Sequence, residues 1–197
     1  MGRKSKAEVR KKEILDNFHV ILKEEGFENA SIAKVAKRME VNPSLLIHYY
    51  GTKEKMVVSF VDNLLEQHEN NFRTEILATE QSKATLEEVL AALFGEAWLN
   101  YADPTVFYAF YYLSARNEAI KSRFQQMYGT FRTLLLPLIR TWMEAKRIKE
   151  DDPEMVADYI LMMNEGLLYY DKLMRDPQGF KRRVCYLKEA IIKTLTT

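Results

Sequence analysis

Apolar residues recur three and four positions apart along nearly the whole chain, the spacing that puts them on one face of a helix. Ile14, Phe18, Ile21 and Leu22 predict a first helix over about 7–25, closed by Gly26, which can take the left-handed backbone of a helix cap. Ser31 is a good N-cap for the stripe Ile32, Val35, Ala36 and Met39. After a break at 39–41, Asn42-Pro43 restarts a short helix, Asn as cap and Pro at the first position. Gly51-Thr52 interrupts that helix and Thr52 caps the next. Met56, Phe60, Leu64, His68, Phe72 and Ile76 then predict one long helix into the seventies, with Leu46 and Tyr49 anchoring the short helix before it.

The second region opens on Thr85-Leu-Glu-Glu88, a capping-box pattern, with a helix expected to about Tyr101. Asp103-Pro104 starts another helix, and 117–146 reads as a long one bent near Pro137. Asp152-Pro153 and Asp176-Pro177 start the last two. No stretch has the period-two alternation and hairpin turns of paired strands. The expected fold is all-α, an N-terminal three-helix domain followed by a larger helical C-terminal domain. The division is placed at 1–55 and 56–197, with helix 52–76 as connector.

Composition narrows the class. Of 197 residues, 47% are hydrophobic and 29% charged, enough apolar surface to fold. The longest apolar run, 106–113, is eight residues, well short of the roughly 18 that span a bilayer. A single Cys and three scattered His predict neither a disulfide framework nor a metal site, and no cofactor is expected. His19 and His68 fall in helical stripes and read as fillers. The basic start lacks the apolar stretch of a secretory signal, so a cytoplasmic protein is expected. The net charge of +1 conceals twelve Lys/Arg against eight Asp/Glu in residues 1–55, and 17 against 20 in the rest. A basic end on a mildly acidic body suits a polyanionic partner.

Residues 31–50, SIAKVAKRMEVNPSLLIHYY, read as helix, tight turn, short helix, the arrangement that sets a second helix in the DNA major groove. Lys34, Lys37 and Arg38 could then lie along phosphates. The segment resembles the DNA-binding domain of the tetracycline-repressor (TetR) family of bacterial transcription regulators. The likeness rests on the Gly26-Phe27 exit, Ser31 before Ile-Ala-Lys-Val-Ala, Val41, and the run His48-Tyr49-Tyr50-Gly51-Thr52-Lys53-Glu54, and covers about residues 8–68. Beyond it, Asn-Glu-Gly-Leu-Leu at 164–168 is similar to the family as well. The resemblance implies that Ser31, Tyr49 and Lys53 hold the phosphate backbone while Asn42, Pro43, Ser44, Leu45 and His48 face base edges. The chain departs from the family pattern at Glu40, where Gly is usual, at Leu45, often Thr, and at Ile47, often aromatic. Glu40 is expected to strain the turn and set an anion near DNA. Leu45 is expected to meet thymine methyls in place of a hydrogen bond.

Residues 94–142 hold twelve aromatics, about twice the chain's 12% density. Together with adaptable Met side chains they suit an apolar pocket with a few polar contacts, and family regulators usually have one. Trp98, Tyr101, Phe110, Tyr111, Tyr128, Trp142, Met162 and Met163 are the expected lining. The effector expected is small and largely apolar or aromatic, with cation–π contacts open to a cationic one. Met155, Tyr159, Met163, Leu167 and Tyr170 with Phe180, Val184, Leu187 and Ile191 would form half of a four-helix dimer bundle. The partners implied are a double-stranded palindromic operator, a small-molecule effector and a second copy of the chain, with no membrane. On this reading the protein is a ligand-responsive repressor, nucleoid-associated when bound to its operator.

Two other classes compete with this reading. An enzyme lacks support: there is no Gly-rich phosphate loop, no Gly-x-Ser-x-Gly, no His-Glu-x-x-His, and Asp16-x-x-His19 has no matching carboxylates. A helical ligand-binding or protein-interaction module that no longer reads DNA draws on Glu40 and the apolar Leu45-Leu46-Ile47. Salt-insensitive behaviour toward duplex DNA would mark that alternative.

Overall fold

Glycine, proline and capping side chains set most of the helix boundaries. The computed structural model describes residues 3–78, 84–95, 104–149, 151–174 and 176–196. Among these are nine helices and no strand: α1 (Arg3–Asn29), α2 (Ile32–Arg38), α3 (Pro43–Tyr50), α4 (Lys53–Ala78), α5 (Leu86–Leu93), α6 (Pro104–Ser114), α7 (Glu118–Glu144), α8 (Pro153–Met174) and α9 (Pro177–Thr196). The all-α expectation holds, with a helix-turn-helix at the N-terminal end.

Several caps are those the sequence announces. The Ser31 hydroxyl accepts from the Lys34 amide, and the Asn42 side chain accepts from the Ser44 amide with Pro43 following it. Thr85 and Glu88 complete a reciprocal capping box. Asp152 and Asp176 receive the Met155 and Gly179 amides at the starts of α8 and α9. Gly26 breaks α1 at φ 80°, ψ 169°, a backbone that needs glycine, although one further turn follows it.

The chain divides into two compact units, Met1–Leu65 with Asp103–Phe124, and Glu66–Ala102 with Gln125–Thr197. In the first, Ile14, Phe18 and Ile21 of α1, Val35 and Ala36 of α2, Leu46 of α3 and Met56, Phe60 and Val61 of α4 are buried. Phe18 meets Phe60 edge-to-face at 5.3 Å, and Phe110 of α6 lies 5.4 Å from Phe60. Thus part of the aromatic run expected in the sensor packs instead against α1 and α4 in the first unit.

In the second unit, Leu86, Val89, Leu90 and Leu93 of α5, Leu135, Ile139 and Trp142 of α7, Val156 and Ile160 of α8, and Ile191 and Leu195 of α9 form the core. The Trp142 indole Nε1 donates to the Ala84 carbonyl at 2.7 Å. Asn164 donates to the Leu93 carbonyl at 2.7 Å, so a buried amide on α8 caps the C-terminal end of α5.

Three local expectations change. The α5 helix stops at Leu93, well before Tyr101, with Phe94 as C-cap and Asn164 on its last carbonyl. Along α4, Leu64 is only half-buried while Val61 and Leu65 are buried, because a strict four-residue repeat drifts about 40° per step around a helix. In α3 the inward residues are Leu46 and Tyr50, and Tyr49 is half-buried, because residues four apart share a helical face. The Tyr50 hydroxyl donates to the Lys11 carbonyl at 3.1 Å, and burial, with Glu8 nearby, pushes it up to about 12.

Candidate nucleic-acid interface and effector site

The turn between α2 and α3 is a Schellman motif. The Val41 amide donates to the Ala36 carbonyl at 3.0 Å and the Glu40 amide to the Lys37 carbonyl at 3.2 Å. Glu40 occupies the left-handed position at φ 55°, where glycine is favoured and an L side chain costs about 1–2 kcal/mol. The expected strain is therefore present, and the carboxylate is exposed.

That turn presents α3 with Pro43, Ser44, Ile47 and His48 exposed and Leu45 and Tyr49 half-buried. Ser44, Ile47 and His48 stand at i, i+3 and i+4, so they share a face. Ile47, 51% exposed, is the large apolar side chain most open on that helix, whereas Leu45 is partly packed. Ile47 was absent from the sequence-based set, although its departure from the family's aromatic was legible. The His48 ring lies edge-on to Tyr49 at 5.3 Å.

Cations flank this surface, but two are engaged. Lys34 is ion-paired with Glu25, and Arg38 Nη1 lies 3.1 Å from Glu24. All four side chains are substantially exposed, so these pairs contribute little stability and phosphates can displace them. Lys37 is exposed and Ser31 half-buried. Lys53, at the start of α4, is half-buried and donates to the Phe27 carbonyl at 3.3 Å.

The expected effector residues do not form one group. Trp98 and Tyr101 lie outside the described residues. Phe110 is fully buried in the first unit and Tyr111 is exposed there, its ring edge-on to Phe124 at 5.8 Å. Trp142 is buried in the core of the second unit. Met162 and Met163 line an open groove of about 660 Å³ between α8 and α9, with Leu167, Tyr170, Tyr186 and Leu187. Beyond the groove, α8 exposes Met155, Tyr169, Leu173 and Met174, and at its edge α9 exposes Tyr186, an apolar surface of the kind expected for dimerisation. Ile191, assigned to that face from spacing, is instead buried within the unit.

Tyr128 belongs to a different cluster in the second unit. Its hydroxyl hydrogen-bonds the Glu165 carboxyl, which burial pushes up to about 7, the hydrogen bond offsetting part of the rise. The Tyr128 ring is edge-on to Phe131 at 5.9 Å, and Phe131 stacks on Phe72 at 4.1 Å. His68 lies 5.8 Å from Phe131, and burial lowers its pKa to about 4, so the imidazole is neutral at physiological pH. A carboxyl joined to an aromatic cluster is suited to a cation carrying apolar substituents. Glu165 was missed from sequence; its signal was a lone carboxylate in the apolar stretch 164–168. Among the described residues no group of three His, Cys, Asp or Glu could hold a metal ion.

Comparison with known proteins places both ends of the chain. Residues 14–60 match the profile of the bacterial regulatory proteins of the tetR family, and residues 81–197 that of the tetracyclin repressor-like C-terminal domain. The HTH-type transcriptional regulator BetI of Rhizobium meliloti is 25% identical over 187 residues, which are 93% of this chain and 88% of that one. A transcriptional regulator from Pseudomonas aeruginosa PAO1 shares the fold with a TM-score of 0.79 at 23% identity, covering 94% of this chain and 89% of its own. Another from Saccharomonospora viridis, solved in complex with choline, has a TM-score of 0.79 at 14% identity, over 96% of this chain and 99% of its own.

Proposed function

Since the chain belongs to the tetR family of bacterial regulatory proteins, and so is a helix-turn-helix transcriptional regulator rather than an enzyme, we propose that it is a repressor that binds a palindromic operator as a dimer and is released by a small organic cation. Residues 1–55 serve as the reading head, helix 52–76 as the connector and 56–197 as the sensing and dimerisation region. Ser31, Lys34, Tyr49 and Lys53 hold phosphates. Asn42, Pro43, Ser44, Leu45 and His48 face the bases, and Ile47 joins them because it stands open between Ser44 and His48. Two such heads, joined through the exposed apolar surfaces of α8 and α9, would read half-sites about 34 Å apart.

The observation that carries the effector class is Glu165. Its carboxyl is linked through Tyr128 to the rings of Phe131 and Phe72. A quaternary ammonium would hold that carboxyl ionised and pair with it while its methyl groups met aromatic faces. The choline bound by the Saccharomonospora viridis protein supports that chemistry. Effector and operator weaken each other by the same factor if both act on one dimer equilibrium.

Selection of bound sequences from a random duplex pool tests the first part. An enriched inverted repeat is expected, bound with a log–log salt slope near −7 for about eight phosphate contacts. No enrichment by ligand-free, dimeric protein would refute operator reading. Choline and its neutral tert-butyl isostere, 3,3-dimethylbutanol, then test the effector: the cation should bind and release operator, and the neutral alcohol should not. Equal potency of the two would refute the cation assignment.

A further inference from the structure

Lys53 is held in an unusual way for a side chain that must grip a phosphate. Its Nζ donates to the backbone carbonyl of Phe27 at 3.3 Å and sits 5.0 Å from the centroid of the Phe27 ring. The ring is in turn seated edge-to-face on Phe110 of α6, 5.9 Å away at 83°. Phe110 is fully buried and backed by Phe60 at 5.4 Å. These residues all belong to the first compact unit. They connect the first residue of α4, the Gly26 break in α1 and the middle of α6.

A free lysine samples many rotamers, and ordering it against a phosphate costs much of that entropy. Here the carbonyl and the aromatic face together fix the ammonium before DNA arrives. An ammonium carries three donors, and the Phe27 carbonyl takes one. Two remain for a phosphate oxygen. The Gly26 backbone at φ 80° turns the chain so that carbonyl and ring of Phe27 can face the same cation.

We propose that Phe27 is a positioning residue for operator binding: it pre-orients Lys53 for its phosphate, and Phe110 on α6 sets where Phe27 sits. A shift of α6 would then reach the DNA grip through two rings, without any displacement of the reading helix. The proposal rests on the reading of Lys53 as a phosphate contact, and it adds a residue that touches no DNA itself.

The test is a double-mutant cycle on the selected operator, using the full chain at fixed moderate salt. Phe27→Leu keeps apolar bulk and the backbone carbonyl but removes the ring. It is expected to weaken operator binding by about tenfold, because each half-site of the dimer loses one oriented ammonium. Phe27→Tyr restores a ring and is expected to restore affinity. Lys53→Ala is expected to weaken binding and lower the salt slope by about 2, one phosphate contact per half-site. In the Lys53→Ala background, Phe27→Leu should cost almost nothing further. Phe110→Leu, which leaves both Phe27 and Lys53 in place, should reproduce part of the Phe27→Leu loss while thermal unfolding shows the protein folded.

Full additivity of Phe27→Leu and Lys53→Ala would overturn the proposal, since the ring would then only support the fold. So would a Phe27→Leu protein that binds operator as tightly as the native chain. If Lys53→Ala leaves affinity and salt slope unchanged on an operator that is bound, the phosphate role of Lys53 fails and the proposal with it. A native chain that binds no duplex would overturn both this proposal and the operator-reading function.

Discussion

Glu165→Gln should change how stability depends on pH. In the native protein the Glu165 carboxyl is pushed up to about 7 by burial, against an ordinary value of 4.5. Below 4.5 the group is protonated in both native and unfolded states. Between 4.5 and 7 the native state retains a proton that the unfolded state has released, so unfolding becomes easier as pH rises. Above 7 the buried group is ionised in both states and the loss is complete. At about 1.4 kcal/mol per unit, the rise corresponds to roughly 3 kcal/mol; Glu165 is only half-buried by surface area, and solvent screening reduces this to about 2 kcal/mol.

His68 acts in the opposite sense. Burial lowers it to about 4 from 6.5, so its contribution is present above 6.5 and is lost as pH falls toward 4. Over 4.5–6.5 the two slopes oppose each other, and the native chain alone gives a shallow profile. The difference between native and Glu165→Gln proteins isolates one of them. Urea unfolding followed by circular dichroism, at one protein concentration because any self-association would couple to stability, should show the variant gaining about 2 kcal/mol relative to the native chain between pH 4 and pH 8. The gain should climb steadily from about pH 4.5 and level off near pH 7. A difference that stays flat from pH 5 to pH 8 would refute the assignment of a buried, proton-retaining carboxyl. Bound choline should move the pH at which the gain levels off downward, because a cation favours the ionised form.

The remaining predictions concern the turn, the reading helix and the core. Glu40→Gly relieves the φ 55° strain and, after the extra chain entropy of glycine, should stabilise the protein by about 0.5–1 kcal/mol in thermal unfolding; it should also tighten operator binding by removing an exposed anion. Ile47→Ala should relax base preference at one thymine-containing step more than Leu45→Ala does, read by repeating the sequence selection with each variant; the reverse order would return the role to the half-buried Leu45. Asn164→Ala removes a buried hydrogen bond to the Leu93 carbonyl, and should cost about 1–3 kcal/mol by urea unfolding with the salt slope on operator unchanged.

The elements readable from sequence alone were those set by neighbours within a few positions. Asn42-Pro43, Thr85 with Glu88, Asp152-Pro153 and Asp176-Pro177 start helices because a capping side chain reaches only the next turn, and that turn is in the same stretch of sequence. The helix-turn-helix was legible for the same reason: its caps, its left-handed position at Glu40 and its inward Val35, Ala36 and Leu46 lie within sixteen consecutive residues. Periodicity also placed the buried stripe of α1. It failed where neighbouring residues share a chemistry, so that Tyr49 was chosen over Tyr50 and Leu64 over Leu65.

Tertiary structure decided which aromatic belongs to which site. Phe110 and Tyr111 are adjacent and alike in sequence, yet one is fully buried against Phe27 and Phe60 and the other is exposed. Nothing within a helical turn distinguishes them; the difference is made by α1 and α4, more than forty residues away in the chain. Glu165 looked like any helical carboxylate until Tyr128, from another helix, gave it a hydrogen-bonding partner and burial raised its pKa. Lys34 and Arg38 read as free cations until Glu25 and Glu24 of α1 came within reach. Helix position follows from local geometry and caps, which the sequence carries directly; burial, pKa and ion pairing are set by residues distant in sequence that only folding brings together.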